Sequence, residues 1–235
     1  MSFYEHFAHR RRNAFGHFVK QAFARKIFRM IGDHPGRMLE LGPGDGYLAQ
    51  IAQERGFDYT ALDGSPGVVE SLKQKGFGNI RQAIVPPLPA DLGCFDTCLM
   101  MHVIEHLPHH EAASGLLAEV HAHLRPGGKL WLATPDYLFW KTDFYCCDYT
   151  HSTPFSMYTL RQLLINEHFS IVRADRYVGP CFGCPGLLVY LLARCLYSRT
   201  LDHLVLHPRG HNFWYRAFLT AIPSVFIVAE KKDVT

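Results

Sequence analysis

The spacing of apolar and polar positions changes along the chain, and each change predicts an element. From about residue 10 to 31, Phe15, Phe18, Val19, Ala22, Phe23 and Ile27 recur at helical spacing with arginine and lysine between them, so an amphipathic helix opens the chain. "RMLEL" (37–41) is a short apolar strand bounded by Pro35-Gly36 and by the glycines that follow. "YLAQIAQERG" predicts a helix closed by Gly56, "FDYTALD" a second strand, "PGVVESLKQKG" a helix with proline at its start and glycine at its end, and "NIRQAIV" a third strand. The alternation continues with "CFDTCLMMHVI" as strand, "HHEAASGLLAEVHAHL" as helix, "RPGG" as turn and "KLWLATP" as strand. After an irregular stretch, "SMYTLRQLLINEH" is a helix and "FSIVRADRYV" a strand. Strands alternating with helices at this spacing specify a mainly parallel sheet covered on both faces. Past residue 181 the pattern changes to two apolar helices, "PGLLVYLLARCLY" and "HNFWYRAFLTAI", and a last strand, "SVFIVAEKK".

Composition narrows the picture little. A chain of 235 residues, 48% hydrophobic and 19% charged, is one ordinary globular domain. A net charge of +3 is too small to indicate a nucleic-acid binder, and the run His9 to Arg12 reads as a solvated helix face. The first thirty residues hold no apolar signal-peptide core, and no apolar run reaches the roughly 20 residues of a membrane span, so a cytoplasmic protein is expected. Seven cysteines without a secretory signal read as reduced thiols; Cys181 and Cys184 have zinc or redox spacing, but no second pair completes a site.

Doubly wound sheets bind ligands beyond the carboxyl ends of their strands. There, "LELGPGDGYLA" sets Gly42, Gly44 and Gly46 between a strand and a helix, where missing Cβ atoms allow a tight turn against a ligand. Asp63 ends the second strand, where a carboxylate can accept both hydroxyls of a ribose. Strand, glycines, helix, strand and acid together describe an adenosine-ligand site.

Those residues, with Glu40 before the turn, "HVIEHL" at the fourth strand's end and "LRPGGKLWLATP", resemble class I S-adenosylmethionine-dependent methyltransferases over about residues 36 to 180. The resemblance is to the branch of ubiquinone-biosynthesis O-methyltransferases. It implies a Rossmann-like, doubly wound, seven-stranded sheet with an antiparallel last strand, an extra N-terminal helix and a helical insertion before the last strand. It implies S-adenosylmethionine as cofactor, with Glu40, Gly42, Gly44 and Gly46 around the methionine part, Asp63 and Gly64 at the ribose, and Met101 and His102 beside it. Where many relatives carry an Asp toward the adenine amine, "QAIVPPLP" has Ile84, so adenine is expected to rest on backbone and apolar contacts. The expected organisation is a single domain over 1–235: a helical lid over 1–35, the cofactor-binding core over 36–180, an apolar helical insertion over 181–222, and the last strand and tail over 223–235.

The fourth strand runs into His102, Glu105, His106 and His109. If the segment turns helical, His102, Glu105 and His106 converge. The set resembles the E-x-x-E-H segment of ubiquinone-biosynthesis and small-RNA 2′-O-methyltransferases, in which such residues hold magnesium, and His151 matches a further histidine of the RNA enzymes. Three histidines to one carboxylate suit zinc, manganese or iron better than magnesium. Three readings stay open: a divalent metal on His102, Glu105, His106 and His151; a structural and cofactor-shelf role, which is preferred; and a general base at His151 or His106, with Asp148 or Asp136 as orienting group.

The expected activity is O-methylation of a hydroxylated small molecule of sugar, lipid-linked or secondary-metabolite type. The alternatives are a metal-assisted RNA 2′-O-methyltransferase and a non-catalytic cofactor-binding protein. Tyr137, Trp140, Tyr145 and Tyr149 suit either a stacking platform for a ring or the core. The insertion, with Leu187, Leu188, Tyr190, Leu191 and Leu192 near Arg194 and Arg199, is expected to be buried in the domain; an acyl-chain cover, a peripheral membrane contact and a dimer contact are the alternatives.

Overall fold

The computed structural model describes residues 14–32, 35–198 and 213–232. The opening helix α1 (Ala14–Ile31) leads into β1 (Arg37–Leu41), α2 (Tyr47–Glu54), β2 (Asp58–Asp63), α3 (Pro66–Gln74), β3 (Ile80–Gln82) and β4 (Phe95–Met101). A single 3-10 turn (Ile104–His106) precedes α4 (His110–His123) and β5 (Leu124–Pro135). Two short helices, α5 (Tyr137–Trp140) and α6 (Asp143–Cys147), occupy the stretch expected to be irregular. Then come α7 (Met157–Asn166), β6 (Phe169–Val178), β7 (Cys181–Phe182), α8 (Cys184–Leu196), α9 (Phe213–Leu219) and β8 (Ser224–Lys231).

The strand order is β3-β2-β1-β4-β5-β8-β6-β7. β1 pairs in parallel with β2 and β4, and β4 with β5, while β8 is antiparallel to both β5 and β6. The chain starts at the centre of the sheet and winds outward twice, so order reverses between β1 and β4, where a crevice opens. Seven strands match the expected sheet; the eighth is the two-residue β7, which folds back on Tyr177 and Val178 as a hairpin. The "RPGG" turn lies within β5: Leu124 pairs with Phe95 and Lys129 with Thr97, and the register shift between them absorbs the extra residues, Gly127 among them at φ 72°.

Alternation along each strand sends side chains to two cores. Met38, Tyr59, Ala61, Leu99, Trp131 and Phe226 pack against α1, α2 and α3. Leu39, Leu41, Met100, Leu132 and Ile227 pack against α4 and α7. Phe23, Ala24, Ile27 and Phe28 of α1 are buried in the first of these, so the helix read as a lid is built into the core through this face. The helix α8 departs from expectation in the other direction: only Gly186 in it is buried. The basic run at residues 9–12, with Arg199 of the insertion, lies outside the described residues.

Candidate functional site

Three successive glycines with positive φ (68°, 52° and 80° at Gly42, Gly44 and Gly46) turn the chain from β1 into α2. The Gly46 N–H donates to the Pro43 carbonyl at 2.9 Å, and the Gly42 N–H to the Leu62 carbonyl at 2.9 Å. A Cβ on Gly42 would stand 2.5 Å from Val103 Cγ2, and one on Gly46 2.5 Å from Leu72 Cδ2; above Gly44 nothing lies within 4 Å. Backbone thus faces open space at the middle of the turn, which is the cradle an extended ligand needs. Asp45, between the glycines, is turned the other way, its Oδ2 2.8 Å from Lys20 of α1 and its carbonyl 3.1 Å from Lys75 Nζ.

Glu40 and Tyr59 project from neighbouring strands on the same face. The Tyr59 hydroxyl donates to Glu40 Oε2 at 2.5 Å, and Glu40 is almost wholly buried. Burial pushes its pKa up to about 7, the Tyr59 hydrogen bond opposing and Asp63 adding to the rise. Asp63 is also raised above the usual carboxylate range by burial, against the N–H groups of Ser65 and Gly44; Ser65 N is 2.8 Å from its Oδ1. Next to Gly64, whose Cβ would touch Ile84 Cγ1 at 3.6 Å, the Ile84 side chain stands 80% exposed. An apolar surface thus stands in water beside this acid.

Across the crevice, β4 ends at Met101, buried against the α1–α3 face, and the chain reverses through His102 at φ 58°, a conformation that few residues other than glycine adopt. Its N–H donates to the Ala133 carbonyl at 2.8 Å. The imidazole Nδ1 lies 3.1 Å from Glu105 Oε1 and Nε2 2.7 Å from the Tyr177 hydroxyl. Because a carboxylate only accepts, Nδ1 carries the proton, and Tyr177 donates to Nε2.

Glu105 is completely buried. Thr134 donates to its Oε2 at 3.0 Å, and its carbonyl accepts from Ser152 and Thr153 at 2.9 and 3.1 Å. Burial pushes its pKa up, but the His102 hydrogen bond and the two neighbouring imidazoles more than offset this and hold it below the usual range. His106 follows on the same 3-10 turn. Its Nδ1 is 2.9 Å from Thr150 Oγ1, which itself donates to Asp148 Oδ1 at 2.6 Å. The single hydroxyl proton is committed to Asp148, so His106 donates through Nδ1 and its Nε2 carries the lone pair. His151 Nδ1 is 2.7 Å from the Phe144 carbonyl, so it too is the Nδ1–H form. The two rings sit 4.9 Å apart, and burial lowers the His106 pKa below 6.5. Cys147, 3.7 Å from His151, is pushed up to about 11 by burial and stays a thiol, which removes it as a nucleophile.

The candidate residues therefore sort by geometry. Glu105, His106 and His151 form one group whose ligating atoms lie within 4.8 Å of each other, and His102 reaches only Glu105. Asp148 orients His106 through Thr150 and makes no direct bond to an imidazole among the hydrogen bonds described. Asp136 is fully buried, ion-paired to Arg176 at 2.7 Å and capping α5. His109 caps α4 by accepting from Ala112 N. Trp140 is tied to the Pro223 carbonyl, whereas Tyr149 is 75% exposed. Sequence reading missed Tyr59, Tyr177, Thr134 and Thr150, each joined to its partner across strands or loops far apart in the chain.

Residues 7–174 match the sequence profile of a methyltransferase domain family. The chain belongs to the class I S-adenosylmethionine-dependent methyltransferases. It is 32% identical over 116 residues to a malonyl-[acyl-carrier protein] O-methyltransferase of Serratia marcescens, covering 46% of this chain and 42% of the relative. It is 35% identical over 104 residues to a ubiquinone biosynthesis O-methyltransferase of Xanthomonas euvesicatoria, covering 42% of each. The matched stretch thus spans less than half the length of these curated relatives. Among solved structures, the methyltransferase in complex with the Haloferax volcanii Trm112 methyltransferase activator superposes with a TM-score of 0.71 at 14% identity, covering 99% of both chains. Other structures of this fold hold S-adenosylhomocysteine. The methyltransferase crevice described above, with its glycine cradle, buried acids and apolar surface, fits S-adenosylmethionine.

Two predictions follow from the cradle and its acid. Gly42→Ala drives a methyl group into Val103 at a positive φ; we expect a loss of about 1–3 kcal/mol in urea denaturation and at least about tenfold weaker S-adenosylhomocysteine binding by calorimetry. Because the folded-state pKa of Glu40, about 7, lies above its ordinary 4.5, its contribution is fully present below pH 4.5 and is lost as pH rises through 7. Stability of the wild type relative to Glu40→Gln should therefore fall by on the order of 3 kcal/mol across that window.

Proposed function

We propose that this methyltransferase transfers the methyl group of S-adenosylmethionine to a hydroxyl oxygen of a small molecule, with the His106–His151 pair receiving the hydroxyl proton. The observation that carries the reading is the fixed tautomer of both imidazoles, each spending its Nδ1 proton on a protein acceptor and keeping a lone pair on Nε2. A sulfonium methyl needs no activation beyond alignment with the nucleophile. What remains is to remove one proton from an alcohol as the O–C bond forms and the C–S bond breaks, and a neutral imidazole does this near pH 7. Asp148 and Thr150 orient His106, and the Phe144 carbonyl orients His151. Glu40 is placed for the cofactor's ammonium group; that charge draws the buried carboxyl into its ionised form. Exposed Tyr149 and Tyr145 are placed to stack on an acceptor ring.

The names of the two curated relatives support oxygen as the acceptor atom, within the stretch they share with this chain. A metal-assisted reaction on RNA has support in the grouping of Glu105, His106 and His151. Against it, both oxygens of Glu105 already accept hydrogen bonds and two imidazole nitrogens complete the set, whereas magnesium takes an oxygen-rich shell. The C-x-x-C pair, Cys181 and Cys184, is joined by no third ligand among the described residues.

The test follows labelled methyl groups from S-adenosylmethionine into the small-molecule, lipid, RNA and protein fractions of a cell extract. Label is expected in the small-molecule or lipid fraction and is expected to survive a metal chelator; label in RNA that the chelator abolishes overturns the reading. With the acceptor in hand, His106→Asn and His151→Asn should each lower kcat by about 10²–10⁴-fold while leaving S-adenosylhomocysteine affinity in place. The acid limb of the wild-type pH profile should lie below the ordinary histidine value of 6.5, because burial disfavours the charged ring.

A further inference from the structure

We infer that α8 is a docking face for the surface of an anionic lipid bilayer. The helix presents Leu188, Leu192 and Leu196 with 58%, 57% and 84% of their surface in water, and Leu187, Val189 and Leu191 are exposed as well. At 100° per residue these side chains sweep more than half the circumference, with Leu188, Leu192 and Cys195 near its middle. The opposite side, Gly186, Tyr190 and Ala193, faces the protein: a Cβ on Gly186 would fall 2.5 Å from the Cys181 carbonyl, and Tyr190 packs edge-on against Phe139. A contiguous apolar face of this size on a folded domain marks a contact surface and not ordinary scatter.

Charge selects the occupant. The two described helices of the insertion, α8 and α9, carry Arg194 and Arg216 and no acidic residue. Arg194 sits at the margin of the apolar arc, where a long side chain keeps its guanidinium at the level of phosphates while the leucines enter the apolar layer. Arg216 lies on α9, which is held to the end of α8 by Tyr197 stacked on Phe218 at 4.4 Å. A second copy would bring these arginines together across a two-fold axis with no acid on either helix to meet them, whereas an anionic surface is attracted. No helix among the described residues is long and apolar enough to cross a membrane, so the contact is interfacial. The same helix contributes Leu187 to a cleft of about 320 Å³ also lined by Phe139, Met157 and Tyr177, the last being the hydroxyl partner of His102. Docking on α8 therefore sets the bilayer beside this cleft.

The experiment is co-sedimentation of the full chain with vesicles of phosphatidylcholine alone and of phosphatidylcholine mixed with phosphatidylglycerol. We expect the protein to pellet with the anionic vesicles, to be released as salt is raised, and to bind at least about tenfold more weakly as the Leu188→Asp, Leu192→Asp double variant. S-adenosylhomocysteine binding reports whether that variant is folded; if it is not, Arg194→Glu at low salt takes its place and is expected to weaken binding several-fold. Failure of the wild type to bind anionic vesicles overturns the inference, as does equal binding by the folded double variant. A wild-type dimer that the variant converts to monomer, with no vesicle binding by either, assigns the face to a second copy and overturns it too. None of these outcomes depends on which acceptor is methylated.

Discussion

The buried carboxylate of Glu105 is the constraint on which the reaction side of the crevice depends. Glu105 sits on a single 3-10 turn beyond the fourth strand and gathers groups from three other places in the chain: Thr134 from β5 and His102 from the end of β4 on its carboxylate, and the N–H groups of Ser152 and Thr153, from the loop before α7, on its main-chain carbonyl. Through His102 it reaches Tyr177 on β6. A charge this deep is tolerated only with its acceptors filled, and His102 and Thr134 fill them, one on each oxygen. The loop that carries His151 is tied through the Glu105 carbonyl to the turn that carries His106, and the two rings meet at 4.9 Å. Removing His102 or Thr134 leaves a buried carboxylate oxygen without its donor, so the two bonds stand or fall with the charge they serve.

The crevice sets two buried acids to opposite ends of their range. Glu105 is ionised by its donors, whereas Glu40 has one hydroxyl partner and is pushed toward neutrality, with Asp63 raised beside it. In the proposed reading, Glu40 meets the positive charge of the cofactor. That division matches the two halves of methyl transfer, in which one side of a crevice holds a cationic cofactor and the other handles the acceptor's proton. It also accounts for the placement of both on strand ends at the switch point, since β1 and β4 are the neighbours between which the sheet order reverses.

The fold was largely legible because its signals are local. Glycine and proline punctuation marks the ends of α2 and α3, and the β1–α2 turn declares itself by three glycines within five residues. The lapses were also local in kind: two-residue β7 is too short to show a period, and "RPGG" reads as a turn although it is a bulge inside β5. α8 was expected to be buried because its sequence is apolar all round, yet its apolar face is largely exposed; hydrophobicity states a need for cover without naming the cover. The site was legible in its acids and histidines and not in their partners. Tyr59, Thr134, Thr150 and Tyr177 lie between 19 and 75 residues from the groups they bond, and no spacing rule reaches that far. His102 kept its place as neighbour to the cofactor crevice, but its role among metal candidates dissolved once its two nitrogens were seen to be engaged by Glu105 and Tyr177.

The central claim of the proposed function is that His106 and His151 each spend an Nδ1 proton on a protein acceptor, so that Nε2 is the nitrogen left to take the acceptor's proton. Long-range proton–nitrogen correlation spectra of the ¹⁵N-histidine-labelled protein, bound to S-adenosylhomocysteine at neutral pH, read this directly. The account predicts that His106 and His151, assigned by His106→Asn and His151→Asn, both show the pattern of the Nδ1–H tautomer. An Nε2–H tautomer or a doubly protonated ring at either position contradicts it, because that Nε2 would then carry a proton and could not take one from the methyl acceptor.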